Sequence, residues 1–188
     1  LSPGIDKGKI IFKNKITISN KLLPLERQQI YEKRNKIFFM KKLKKLFKSN
    51  LKSIRQNEDK STYWPRLNSQ IHGWIDWKWS SKEILLFSNA FDDPYEGAKT
   101  KLNNKTVFLK KCFIQKTKGT FHPFQTGIII RKNKNYFSVS CKNTILSFKE
   151  ILNSKKKRIS LKDIKIGDRL HTPSSILEKA LETRYRYK

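Results

Sequence analysis

The chain of 188 residues carries 43 Lys and Arg against 15 Asp and Glu, a formal charge of +28, with 37% hydrophobic and 12% aromatic residues. That apolar content is too high for a disordered basic tail, and the length suits one large domain or two small ones around a buried core. No apolar run nears the roughly 20 residues of a membrane span, and Cys112 and Cys141 alone make neither a disulfide framework nor a four-thiolate zinc site, which excludes a secreted mini-protein and a membrane protein.

The first residues, LSPGIDKGKIIF, lack the apolar core of a signal peptide, so a cytoplasmic protein is expected. The chain opens on Leu1 rather than Met, as expected of a chain whose upstream part has been processed off or cut away. Lys supplies 34 of the cations and Arg 9, a balance that A+T-rich codons produce, so the charge is either a polyanion-binding surface or a solvated basic one.

In chain order, residues 9–19 alternate around Lys13-Asn14-Lys15 and predict two short strands that could pair as a hairpin. From Pro24 to about Asn50, Phe39, Leu43, Leu46 and Phe47 recur at helical spacing between lysines, which predicts an amphipathic helix packed on a neighbouring core. Residues 52–70 hold no period and read as a linker. A helix then spans Ser80–Ala90, with Ser80 and Glu83 spaced as a capping box and Asp92-Asp93-Pro94 ending it.

Beyond Gly97 the pattern becomes β: 98–102, 106–115, 127–132, 136–141 and 144–148, with Asn103-Asn104 and Asn133-Lys134-Asn135 as turns. A charged, partly helical insertion is expected over 149–165, then a strand at 166–171 and a helix from Pro173 to about Arg184. Five or six short strands with one helix fit a small barrel of the oligonucleotide-binding (OB) type.

The motif inventory is sparse. His72, His122 and His171 are far apart, without the spacing of a zinc site, and His122-Pro123 reads as a turn. Neither a phosphate-cradling glycine loop nor a nucleophile-elbow sequence occurs. Trp64, Trp74, Trp77 and Trp79 crowd one stretch, either as a stacking platform or as glue between packed segments. Asp6 precedes an apolar strand, where a turn aspartate capping its own backbone is the plain reading; Asp76 reads as a cap or a hydrogen-bond acceptor between domains.

Three segments together resemble the formyltransferases that use 10-formyltetrahydrofolate, in their methionyl-tRNA formyltransferase-like branch. Gly4-Ile5-Asp6-Lys7-Gly8-Lys9-Ile10-Ile11 is similar to the family's G-[hydrophobic]-D-[TSA]-G-x-[hydrophobic]-[hydrophobic] segment. Tyr63-Trp64-Pro65-Arg66 with Gly73-Trp74-Ile75-Asp76-Trp77 resembles Y-[WF]-x-R…D-G-x-I-D-W. Phe87, Ala90-Phe91 and Pro94-Tyr95-Glu96-Gly97-Ala98 resemble R-A-[hydrophobic]-x-P-[YW]-P-G-A. Lys7 stands where the family has a small residue, and Glu96 where it has a proline.

The resemblance implies an α+β chain. Residues 1–60 would be the remnant of a Rossmann-like catalytic domain, 61–79 an interdomain linker, and 80–188 an OB-like C-terminal barrel with flanking helices. It implies Asp6 as the catalytic carboxylate that helps take the proton from the attacking amine, and an upstream Asn-x-His pair, which this sequence lacks, as the oxyanion partner. Without that pair the fragment alone is expected to be inactive. The formyl donor would be 10-formyltetrahydrofolate, with no metal; the acceptor would be methionyl-tRNA or a nucleotide-linked amino sugar. Lys99, Lys101, Lys105, Lys110, Lys111, Lys155, Lys156, Lys157 and Arg158 are the expected phosphate contacts. The alternative is a non-enzymatic basic barrel that binds RNA or another polyanion.

Overall fold

The computed structural model describes residues 7–19, 22–47, 51–65, 67–115 and 120–184. They fall into two compact units, Leu1–Pro65 and Arg66–Lys188.

The first unit is built on helix α1 (Pro24–Leu46), entered through Pro24 in its first turn. The Glu26 carboxylate accepts the Leu23 N–H at 2.8 Å, satisfying one donor that the first turn leaves open. The expected hairpin over 9–19 is not present among the described residues. Ile10 instead pairs with Ile54, each N–H donating to the other's carbonyl at 2.9 Å. No residue of α1 is buried, against the expectation of a helix packed on a core: Phe39 is 54% and Met40 58% exposed. Its neighbours are the residues of the extended segment 12–17. Arg34 donates to the Thr17 carbonyl at 2.8 Å, and the Lys42 ammonium lies 5.4 Å from the centre of the Phe12 ring.

The second unit is α+β. A short helix α2 (Ser69–His72) precedes α3 (Ser81–Ala90), whose start matches the sequence pattern: Ser80 N–H donates to Glu83 Oε2 at 2.8 Å, and Glu83 N–H donates to Ser80 Oγ at 3.3 Å. Six strands come next: β1 (Ala98–Leu102), β2 (Lys105–Ile114), β3 (Ile129–Lys132), β4 (Phe137–Ser140), β5 (Ile145–Leu152) and β6 (Leu170–His171). They form one antiparallel sheet in the order β3-β4-β5-β2-β1-β6. Asn103 and Asn104, at φ 49° and 61°, make the two-residue turn between β1 and β2, the left-handed pair that matches strand twist.

The sheet curls until its edges meet. Leu170 N–H donates to Gly127 O and Ile129 N–H to Asp168 O, both at 2.8 Å, closing β6 onto the lead-in to β3. Gly127 (φ 81°) is required at that seam, because a Cβ there would sit 2.3 Å from the Leu170 carbonyl oxygen. Beside β6, residues 73–75 run parallel to β1, with Ile75 N–H donating to Lys99 O at 2.9 Å.

The interior is filled by Val107, Leu109, Phe137, Val139, Leu146, Phe148 and Ile151, with Ile75 and Trp77 entering from the tryptophan-rich segment and Ile84 from α3. Trp77 donates to Thr100 Oγ1 at 2.9 Å and meets Phe148 edge-on, while Trp79 packs edge-on against Phe87. Residues 74–79 are therefore part of this unit's packing, whereas Trp64 is 82% exposed. The expected helical insertion at 149–165 is different. There β5 runs on to Leu152, and residues 154–167 form turns and bends around a bridge between Leu152 and Arg158. Helix α4 (Ser174–Glu182) ends the described chain, tied back where His72 Nε2 lies 3.0 Å from the Thr183 carbonyl.

Candidate nucleic-acid interface

Asp6, the carboxylate singled out from the sequence, lies outside the described residues. The segment just after it is held at its own backbone: the Gln56 side-chain Nε2 donates to Gly8 O at 2.8 Å, next to the Ile10–Ile54 bridge. Asp76 caps its own turn, accepting the Lys78 N–H at 2.9 Å. His122 does likewise for the short 3-10 turn Pro123–Gln125, its Nδ1 accepting the Phe124 N–H at 3.3 Å. No group of three or more His, Cys, Asp or Glu suited to a metal ion occurs among the described residues, and no helix there is long and apolar enough to cross a membrane.

The expected phosphate contacts divide by geometry. Lys99 is only 4% exposed; its ammonium donates to the Gln70 carbonyl and lies 4.7 Å from the centre of the Trp74 ring. Burial pulls its pKa below the ordinary lysine value, with Glu96 opposing the shift and Lys156 adding to it. Lys110 is buried and paired with Asp93. Lys111 reaches Glu150, whose carboxylate raises the lysine's pKa. Lys156 donates to Glu96 Oε2 at 2.7 Å, and that bond lowers the Glu96 pKa. These four cations are committed to partners inside the unit and are not placed to meet a phosphate without losing them.

Lys101, Lys105, Lys155 and Lys157 make no ion pair among the described residues, and Lys105, Lys155 and Lys157 are exposed. Arg158 donates to the Lys149 carbonyl at 3.4 Å and is otherwise open to solvent. The tight turn at Asn153–Lys157 presents this run. Asn153 Oδ1 accepts the N–H groups of Lys155 and Lys157 at 2.9 and 3.0 Å.

A larger feature escapes the sequence. Lys132, Asn133, Lys134, Arg158, Ile159, Ser160, Leu161 and Lys162 line an open groove of about 960 Å³. Its cations come from two distant stretches, the β3–β4 turn and the chain after β5, joined where the Lys132 ammonium donates to the carbonyls of Lys162 (2.9 Å) and Ile164. Among them only Arg158 is an expected phosphate contact. The available signal is the pair of lysines flanking Asn133, but spacing alone cannot bring Lys162 to them.

Residues 68–169 match the family described as "Formyl transferase, C-terminal domain". The chain is 25% identical over 148 residues to the methionyl-tRNA formyltransferase of Clostridium beijerinckii, an alignment covering 79% of this chain and 46% of that protein. With the methionyl-tRNA formyltransferase of Alkaliphilus oremlandii it shares 28% identity over 172 residues, covering 88% and 52%. The chain spans about half the length of the curated relatives it matches. Among solved structures, HypX from Aquifex aeolicus in complex with tetrahydrofolic acid superposes with a TM-score of 0.60 at 14% identity, over 96% of this chain and 29% of that one, a likeness of fold.

Proposed function

The chain belongs to the formyl transferase C-terminal domain family, and from that premise we propose that it is the C-terminal portion of an enzyme moving a formyl group from 10-formyltetrahydrofolate to the amine of methionyl-tRNA. The observation that carries the reading is the family match over residues 68–169, continuous with two further motifs in the family's order around Asp6 and Tyr63. In this reading residues 1–60 are a remnant of a Rossmann-like catalytic domain, 61–79 connect it onward, and 80–188 form the OB-like barrel, with Ile75 and Trp77 of the connection built into the barrel core. The enzyme works in the cytoplasm and needs no metal.

Asp6 is the residue we assign to proton removal from the attacking amine. Formyl transfer passes through a tetrahedral oxyanion, which needs donors that this chain does not supply, since no Asn-x-His occurs in it. The chain alone is therefore inactive, and its contribution is acceptor binding. Lys101, Lys105, Lys155, Lys157 and Arg158 meet the phosphates of the acceptor, with Lys99, Lys110, Lys111 and Lys156 organising the surface beneath them.

The test is formyl transfer from 10-formyltetrahydrofolate to methionyl-tRNA and to nucleotide-linked amino sugars, measured with this chain alone and with this chain fused behind the N-terminal half of a methionyl-tRNA formyltransferase. Activity is expected only in the fusion and only on methionyl-tRNA, with Asp6→Asn slowing it by about 10²- to 10⁴-fold. Preference for the amino sugar would move the acceptor assignment; full activity in Asp6→Asn would reduce Asp6 to a turn residue.

A further inference from the structure

Four residues of the first unit join the stretch before α1 to the stretch after it. Ile10 and Ile54 exchange both backbone hydrogen bonds at 2.9 Å, an antiparallel pair whose register puts Gly8 opposite Gln56 one ladder step further on. The backbone ladder stops at that single bridge. Across the next step the Gln56 side chain reaches over, and its Nε2 donates to the Gly8 carbonyl at 2.8 Å, between residues 48 apart in sequence. A carboxamide N–H is the same kind of donor as the peptide N–H whose place it takes. Carried on a side chain, it fixes the carbonyl without requiring the two backbones to stay paired.

The bond is placed where packing contributes little. No residue from Lys7 to Ile11 is buried, and a Cβ built on Gly8 would meet no atom within 4 Å. Hydrogen bonds hold this stretch instead. Gly8 is two residues beyond Asp6, and each peptide unit between them is planar and of fixed length. Anchoring the Gly8 carbonyl therefore limits the space open to a carboxylate so close in the chain. Gln56 is half-buried and lines an open cleft of about 330 Å³ with Ile10, Arg55 and Asn57, so the contact borders accessible space rather than a core.

We propose that Gln56 is the positioning residue for Asp6: by holding the Gly8 carbonyl it keeps the Asp6 carboxylate within reach of the attacking amine during formyl transfer. The assignment deepens the formyl-transfer reading above and rests on it. Gln56 acts on the chemical step through the backbone, without touching either substrate.

The test uses the full chain, both by itself and in the fusion described above. In the fusion, Gln56→Met keeps the size of the side chain and removes the donor. It should lower kcat by roughly 10- to 100-fold, the scale of a misplacement of about 1 Å, and leave KM for both substrates within about 3-fold. Gln56→Lys, which returns an N–H able to reach the carbonyl, should recover most of the rate. In Asp6→Asn protein the same Gln56→Met change should cost no more than about 3-fold, because a positioning residue then has no base left to position. In the chain by itself, Gln56→Met should speed hydrogen exchange at the Ile10 and Ile54 amides by roughly 2- to 10-fold, the worth of one ordinary hydrogen bond, with the amides of α1 unchanged. With an active wild-type fusion, three results would each overturn the assignment and leave the formyl-transfer reading standing: a loss fully additive with Asp6→Asn, a raised KM at unchanged kcat, or lost protection throughout α1. A wild-type fusion that transfers no formyl group would take down that reading and the assignment resting on it.

Discussion

The buried carboxylate of Asp92 accepts the backbone N–H of Lys111 at 2.6 Å, at a residue whose φ is +56°. This bond replaces a sheet hydrogen bond in the middle of β2. The segment between α3 and β1 is thereby fastened to the strand it precedes, since Asp92 Oδ1 also accepts the Asp93 N–H and the Asp92 carbonyl accepts the Tyr95 N–H. Removing the carboxylate strands a buried donor. Asp92→Ala should cost about 2–4 kcal/mol in urea unfolding, while Lys111→Gly, which relieves a left-handed residue worth about 1–2 kcal/mol, should be neutral or stabilising. Equal destabilisation by both would mean that the pair is held by packing and not by this bond.

Closure of the sheet depends on Gly127. Gly127→Ala should be destabilising by about 2–4 kcal/mol, because a positive φ and a backbone oxygen 2.3 Å from the new Cβ leave no side chain to yield. Hydrogen exchange should show the loss first at the Leu170 and Ile129 amides, which close the seam. Uniform loss across the sheet, with those amides no faster than the rest, would argue against a seam.

Lys99 gives stability a pH dependence with a defined sign. Its folded pKa is depressed by burial below the ordinary 10.5, so between the lowered value and 10.5 the unfolded chain binds more protons than the folded one. The penalty of the buried ammonium is fully present below the folded pKa and fades as pH rises toward 10.5. Wild-type protein should thus gain stability relative to Lys99→Met between pH 7 and pH 10. A pH-independent difference between the two would remove the charge from the account.

Both thiols are shut away. Burial pushes the Cys141 thiol up to about 12, and raises Cys112 well above its ordinary value, with Cys141 adding to that shift. A thiol-reactive dye at pH 8 should leave both unlabelled in native conditions, and labelling should track the unfolding of the second unit. Rapid native labelling of either would show that the sheet opens at that point.

Salt dependence separates the two kinds of lysine. With about five phosphates neutralised, log affinity for tRNA should fall with a slope of about −4 to −5 against log salt. Alanine at Lys101, Lys105, Lys155 and Lys157 should flatten that slope by about 3 to 4, whereas Lys110→Met should leave it unchanged. A filter-binding titration that is flat in wild type would mean the basic surface is merely solvated.

Local chemistry is readable wherever neighbours in sequence are partners in space. The capping box at Ser80 and Glu83, the Asn103-Asn104 turn and the Pro24 helix start each involve residues one to four apart, and each stands in the structure as the spacing predicts. The sequence pattern ends the strand over 145–152 too early, because Lys149 and Glu150 look like surface charge. In the sheet, Glu150 is opposite Lys110 and its carboxylate takes Lys111, so the charges are satisfied across strands instead of ending one.

The sequence by itself determined the α+β pattern, the basicity and the motifs around Tyr63 and Pro94, because composition, periodicity and turn chemistry act over a few residues. Which lysine is a surface cation was decided only by the tertiary structure. Lys99 and Lys101 sit two apart on β1, yet one is buried over Trp74 and bonded to Gln70 while the other makes no ion pair among the described residues. The groove has the same origin: Lys134 and Lys162 line one groove because Lys132 binds carbonyls 30 and 32 residues away. Burial and long-range hydrogen bonding depend on how the sheet closes, and no local pattern encodes that closure.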